Sequence, residues 1–188
     1  MGEMSKEIRS EINSDGLLTL SISSSEIPKP KDHEVLIKVE ASPINPSDLG
    51  LLISFAADVT SLKVEGEGDD KKATMNVHPK LLRTMQARLD KSMQVGTEGA
   101  GVVIDAGKDA KEMIGKTVGV AGGAMYSQYR CLPAQSCLVM HEGTSSRDAA
   151  SSFVNPLTAL GFIETMKMEN HSSLCLLYTS PSPRDLWI

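Results

Sequence analysis

Asn45 and Asp48, within Ser42-Pro43-Ile44-Asn45-Pro46-Ser47-Asp48, set an amide three residues ahead of a carboxylate. Asn can accept from free helix amides, and Pro46 at the first helical position gives up an N–H that has no partner there anyway. Asp48 then falls in the first turn, where the helix dipole favours negative charge. The pair reads either as a helix start alone or as polar groups held in a cleft. Gly96-Thr97-Glu98-Gly99-Ala100-Gly101 is a second candidate. Its glycines permit close backbone approach, but they precede a strand instead of following one, the wrong order for a phosphate loop. Asn155-Pro156 repeats the helix-start signal. Cys131, Cys137 and Cys175 have no zinc spacing and are too few for a disulfide framework. His33, His78, His141 and His171 show no pairing pattern.

The elements that must position these residues are mostly strands. Glu34 to Ala41 alternates apolar and polar residues, which predicts a strand with one buried face, halted by Pro43 and Pro46. Ile8 to Asn13, Ser14-Asp15-Gly16 and Leu17 to Ser23 predict a β-hairpin. A short helix is expected over 46–54, then a charged loop from Glu65 to Lys72. A helix opened by His78-Pro79 follows, with Leu81, Leu82, Met85 and Leu89 on one face. That helix reads as a cover on the β-domain or as a lid over a cleft. Further strands are predicted at 102–104, 113–120, 126–132 and 137–140. Ser145 to Asp148 reads as a cap, and 155–167 as an amphipathic helix with Leu157, Leu160, Ile163 and Met166 on its stripe. A strand is expected from Ser172 to Leu177. A β run followed by helix and strand suggests a barrel-like domain and the start of an α/β domain.

With 188 residues, 40% of them hydrophobic, the chain suits one domain or one and part of another. A net charge of −5 and an aromatic content of 4% argue against nucleic acid as a partner. The negative charge also argues against anionic membranes, and no apolar run reaches the roughly 18 residues of a spanning helix. The first residues, MGEMSKEIRSEIN, have no apolar core for a secretory signal, so cytoplasm is the expectation.

In order, the strand, the NPSD corner, the long excursion, GTEGAGVV, GKTVGV, YSQYR and VNPLTALGFIETM resemble the medium-chain dehydrogenase/reductase superfamily, in its zinc-free quinone reductase and enoyl reductase branch. The resemblance covers roughly residues 7–174. It implies a mainly β GroES-like barrel with short helices over 1–144, then the first helix and strand of an incomplete Rossmann domain over 145–174. It implies NADPH or NADH as cofactor, a small-molecule hydride acceptor, and a homodimer for the intact parent. Metal-using relatives bind catalytic zinc at positions matching Asn45, Thr97 and Asn155 here. None of these is a thiolate or imidazole, the donors zinc prefers, so no metal is expected. The resemblance assigns Asn45 and Asp48 to the catalytic corner, and Asn45, Asn155 and Thr158 to the cofactor. Thr97 and Glu98 fall to the substrate cleft.

The expected reaction is hydride transfer to a quinone, enone or related activated double bond. An enoyl thioester (enoyl-CoA or enoyl-ACP) reductase is the alternative. Relatives of that kind carry a proton-donating Tyr shortly after the corner, and Leu49 to Val64 contains none. A stand-alone GroES-like binding module is the reading from another class. Cys175 to Asp185, CLLYTSPSPRD, departs from the family and resembles a translated sequencing adapter, so 175–188 is expected to be non-native. A chain truncated there would lack most of the dinucleotide domain, be inactive alone, and leave Leu157, Leu160 and Ile163 exposed.

Overall fold

The computed structural model describes residues 4–174. They fall into two compact units that divide between Phe153 and Val154. The first contains β1 (Met4–Ile12), β2 (Leu17–Glu26), β3 (Glu34–Ala41), α1 (Pro46–Leu52), β4 (Ala57–Glu65), β5 (Lys72–Val77), α2 (Pro79–Leu82) and β6 (Met93–Gln94). It continues through β7 (Gly99–Ala106), β8 (Thr117–Val120), β9 (Tyr129–Pro133), β10 (Cys137–Val139) and α3 (Ser146–Ala149). The second unit contains α4 (Val154–Met168). The fold is mainly β with short helices, as the sequence implied.

Two five-stranded antiparallel sheets carry the first unit. One runs β4-β5-β2-β1-β6, the other β10-β8-β7-β3-β9. The alternation in β3 buries Val35 and Ile37 in a core with Val103, Val118, Val120 and Met125. The β1–β2 hairpin places Ile12 and Leu18 in the other core, with Met75 and Val77. Each such aliphatic side chain contributes about 2 kcal/mol by leaving water. The segment before β9 stitches the sheets together. Gln128 donates its N–H to Lys6 O in β1 and accepts from Val39 N–H in β3, both at 2.9 Å. The sheets therefore curl toward each other along that side, as a half-barrel does.

The excursion departs from expectation. Its charged stretch is only the turn, with a 3₁₀ turn at 68–70, of a hairpin formed by β4 and β5, neither of which was expected. β4 lies at the rim of its sheet with Val59, Leu62 and Val64 exposed. Its pairing with β5 jumps between Asp58 and Lys63, so the strand carries a bulge. The helix opened by His78 is a single turn, and a 3₁₀ turn at 83–85 follows it. Leu82, Met85 and Leu89 pack on the first sheet's core, while Leu81 is exposed. This segment covers the barrel.

Other boundaries moved too: β7 starts at Gly99 instead of 102, and β9 at Tyr129 instead of 126. β8 starts at Thr117 because Gly115, at φ +84°, turns the chain just before it. The first unit runs past 144 because α3 packs on β3, β7 and β8 through Ala149 and Ala150 against Ala100. α4 starts one residue before Asn155, and Leu157, Leu160 and Ile163 are exposed on it. Ser172 to Leu174 are not in a strand; the rest of that expected strand and the 175–188 tail lie outside the described residues.

Candidate active site

The corner after β3 is built around two buried carboxylates. Asp48 is 3% exposed and Glu98 fully buried, with Asn45 between them at 3%. Asp48 sits one turn into α1 and reaches back, its Oδ2 accepting from Asn45 N–H at 2.8 Å. This is half of a capping box. The Asn45 side chain turns elsewhere and donates from Nδ2 to Glu98 Oε1 at 2.9 Å. Thr97 gives Asp48 Oδ1 both its N–H, at 2.8 Å, and its hydroxyl, at 2.6 Å. Phe153 N–H donates to Glu98 Oε2 at 2.9 Å, tying the end of the first unit to the same cluster.

The electrostatics follow from these contacts. Burial pushes the Asp48 carboxyl up, but the Thr97 hydroxyl, the N–H groups of Asn45 and Thr97, and the Tyr126 hydroxyl together outweigh it. The result lies below the ordinary carboxylate value. Burial, then the neighbouring Asp48 charge, pushes the Tyr126 phenol well above its ordinary value. Tyr126 therefore stays protonated, and its hydroxyl donates to Pro43 O at 3.0 Å. No acidic or basic partner neutralises Asp48 by an ion pair among the described residues. Neutral dipoles hold the charge instead.

The glycines of GTEGAG serve packing. A β-carbon on Gly96, whose φ is +96°, would lie 2.6 Å from Tyr126 N. One on Gly101 would lie 1.9 Å from Lys38 O in the neighbouring strand. Close backbone approach, read from the sequence, is therefore what these positions require.

The far end of α1 is held by a residue that carried no sequence signal. The Arg88 guanidinium donates to Gly50 O at 3.2 Å and to Leu51 O. It also donates to Ser10 Oγ at 2.7 Å, while Ser10 donates to Leu52 O at 2.7 Å. The last carbonyls of the helix, orphaned by helix geometry, are thus satisfied by a cation from the excursion. Burial lowers the Arg88 pKa from its ordinary value.

The structure brings Asn45, Asp48, Thr97 and Glu98 into one hydrogen-bonded cluster. Tyr126, the first residue of the YSQYR run, joins it. Asn155 and Thr158 lie in the second unit, both exposed on α4, and the Thr158 hydroxyl donates to Val154 O at 2.6 Å. An apolar groove of about 490 Å³ adjoins the corner and includes Ser42, Ile44, Leu52 and Tyr126 in its walls. No group of three or more His, Cys, Asp or Glu side chains among the described residues is arranged to hold a metal. No helix among them is long and apolar enough to cross a membrane.

No protein-family model matches this chain, and no curated protein matches it. Solved structures do. A candidate NADPH:quinone reductase from Bacillus thuringiensis is 22% identical, with a TM-score of 0.60 over 90% of this chain and 42% of its own. The quinone oxidoreductase from Coxiella burnetii is 20% identical, with a TM-score of 0.58 over 88% and 46%. Etr1p, solved with NADP and crotonyl-CoA, is 18% identical, with a TM-score of 0.55 over 85% and 43%. The likeness shows the fold. The chain spans less than half the length of each of these structures.

Proposed function

We propose that this chain is the substrate-side β-domain, with the first helix of the dinucleotide domain, of a zinc-independent NAD(P)H-dependent oxidoreductase. Its acceptor is a quinone, an enone or a related activated double bond. The observation that carries the reading is the state of two positions where metal-using relatives place zinc ligands. Asn45 offers an amide already given to Glu98, and Thr97 a hydroxyl already given to Asp48. Amide and hydroxyl oxygens are poor partners for zinc. The nicotinamide, when bound, supplies the hydride.

In this reading the chain's own residues orient and exclude. Asn155 and Thr158 offer an exposed amide and an exposed hydroxyl to the nicotinamide end. Asn45, buried against Glu98, is a positioning residue: it ties the corner that carries Asp48 to the segment that carries Thr97 and Glu98. Asp48 remains charged, so it is an electrostatic fixture and not a proton donor. The neighbour that holds crotonyl-CoA favours enoyl thioester reduction as the second reading. The absence of Tyr between Leu49 and Val64 weighs against it.

The test uses protein expressed from the complete coding sequence, read afresh across the codon for Leu174. Loss of reduced-nicotinamide absorbance is followed with quinones, enones and enoyl thioesters, with and without a chelator. Turnover of a quinone or enone indifferent to the chelator is expected. Stoichiometric zinc with activity abolished by the chelator would overturn the metal-free reading. No oxidation with any acceptor would favour a non-catalytic binding module.

A further inference from the structure

A second cavity lies apart from the corner, in a chain whose net charge is −5. It is an open hollow of about 740 Å³ whose charged wall residues are Arg9, Lys91 and Arg130, with no acidic residue among them. Ser92, Gln94, Gly122 and Gly123 complete its polar lining. Arg130 projects from β9, a rim strand of its sheet. Its Nε is buried and has no hydrogen-bond partner among the described residues. No ion pair engages its guanidinium among the described residues. Among the described residues the Lys91 ammonium donates only to a neutral carbonyl, Ala87 O at 2.7 Å. Arg9 is paired with Glu7 at 2.7 Å and also donates to Ser92 O at 3.1 Å, so its head is already fixed.

The Arg130 side chain lines the hollow with no counter-ion among the described residues, and a guanidinium without one favours an anion. Lys91 and Arg130 together line one hollow without an ion-pair partner among the described residues, which gives it a positive field. We infer that the hollow walled by Arg9, Lys91 and Arg130 binds the oxyanion group of a small molecule, a phosphate or a carboxylate, with Arg130 as the principal ligand. The guanidinium fork suits either group, because both present paired oxygens at its spacing. Gly123 N–H donates to Thr97 O at 3.2 Å, so one wall of the hollow touches the segment that holds Asp48.

The probes are inorganic pyrophosphate and citrate, titrated by calorimetry into the full chain at fixed ionic strength set with potassium chloride. Saturable binding of one or both is expected, and the preferred probe separates phosphate from carboxylate recognition. Arg130→Met should weaken it about tenfold, the loss of one charge-assisted hydrogen bond. Arg130→Lys should fall between, keeping charge without the fork. Lys91→Met, on a different segment, should weaken binding by a smaller factor. Thermal unfolding in chloride checks that each variant is folded. If Arg130→Met is unfolded, Arg130→Lys and Lys91→Met decide. No saturable heat with either probe, or folded variants that bind as the wild type does, would overturn the proposal. None of these outcomes depends on hydride transfer.

Discussion

The two ends of α1 are secured by opposite means. At its start, a carboxylate is met by neutral donors: Asn45 N–H, and the N–H and hydroxyl of Thr97. At its finish, neutral carbonyls are met by one cation, Arg88. Both arrangements suit the helix dipole, which favours negative charge at the N-terminus and positive charge at the C-terminus. They differ in reach. Asn45 and Asp48 are three residues apart, so the start is written locally. Arg88 acts across 37 residues on Leu51, so the finish depends on how the excursion folds. A seven-residue helix is too short to be stable by itself. The corner's geometry therefore rests on both ends together.

The largest expected effect tests the distant end. Arg88→Met should cost about 3 kcal/mol, because several hydrogen bonds from a charged donor disappear and carbonyls of Gly50 and Leu51 are left without partners. Urea unfolding reads the loss. Hydrogen exchange should show faster exchange at Leu49 to Ile53 than at the β3 amides. Equal acceleration in both would dissolve the contrast between the ends.

Next is Asp48→Asn, expected to cost about 2 kcal/mol at neutral pH, since an amide cannot accept from every donor the carboxylate serves. The pH dependence sharpens it. The folded carboxyl lies below its ordinary value, because the hydrogen bonds outweigh burial. Its contribution is therefore complete above the unfolded value, near about 3.9. It is lost as pH falls through the lower folded value. Stability of the wild type should decline in that acid window, and the Asp48→Asn variant should decline less.

Glu98→Gln should cost about 1–2 kcal/mol, as Asn45 Nδ2 and Phe153 N–H each use one carboxyl oxygen and Gln keeps only one acceptor. Tyr126→Phe is the smallest, about 1 kcal/mol for the bond to Pro43 O. Because the folded phenol is pushed up, that group favours the folded state fully below the unfolded value of about 10 and loses its contribution above it. Tyr126→Phe should flatten the alkaline limb of the stability profile. An unchanged limb would place Tyr126 outside the cluster.

What the sequence made legible follows the same division. β3 was readable over Glu34 to Ala41 because one face is core and the other is not. The β1–β2 hairpin was readable from Asp15-Gly16, and the corner from Asn45, Pro46 and Asp48. β4 and β5 were missed because β4 is largely exposed and alternates too weakly to betray a buried face. Arg88 was missed because its partners include backbone carbonyls, and no residue type marks a carbonyl. Thr97 could be placed near Asp48 only through the family resemblance, since 49 residues separate them. The reach of the first unit to Phe153 depended on alanines packing against β7, a contact that small side chains do not advertise.

The irregularity in β4 has a bearing on how this molecule behaves in a crowd. A smooth outer strand bearing Val59, Leu62 and Val64 would invite another copy to zip alongside it. The bulge between Asp58 and Lys63 spoils that template, and Asp58 spends its own carboxylate on Thr60 N–H at 3.0 Å. A local fault in registration thus acts as a guard against runaway polymerisation at a flank where oily side chains meet water on an open strand.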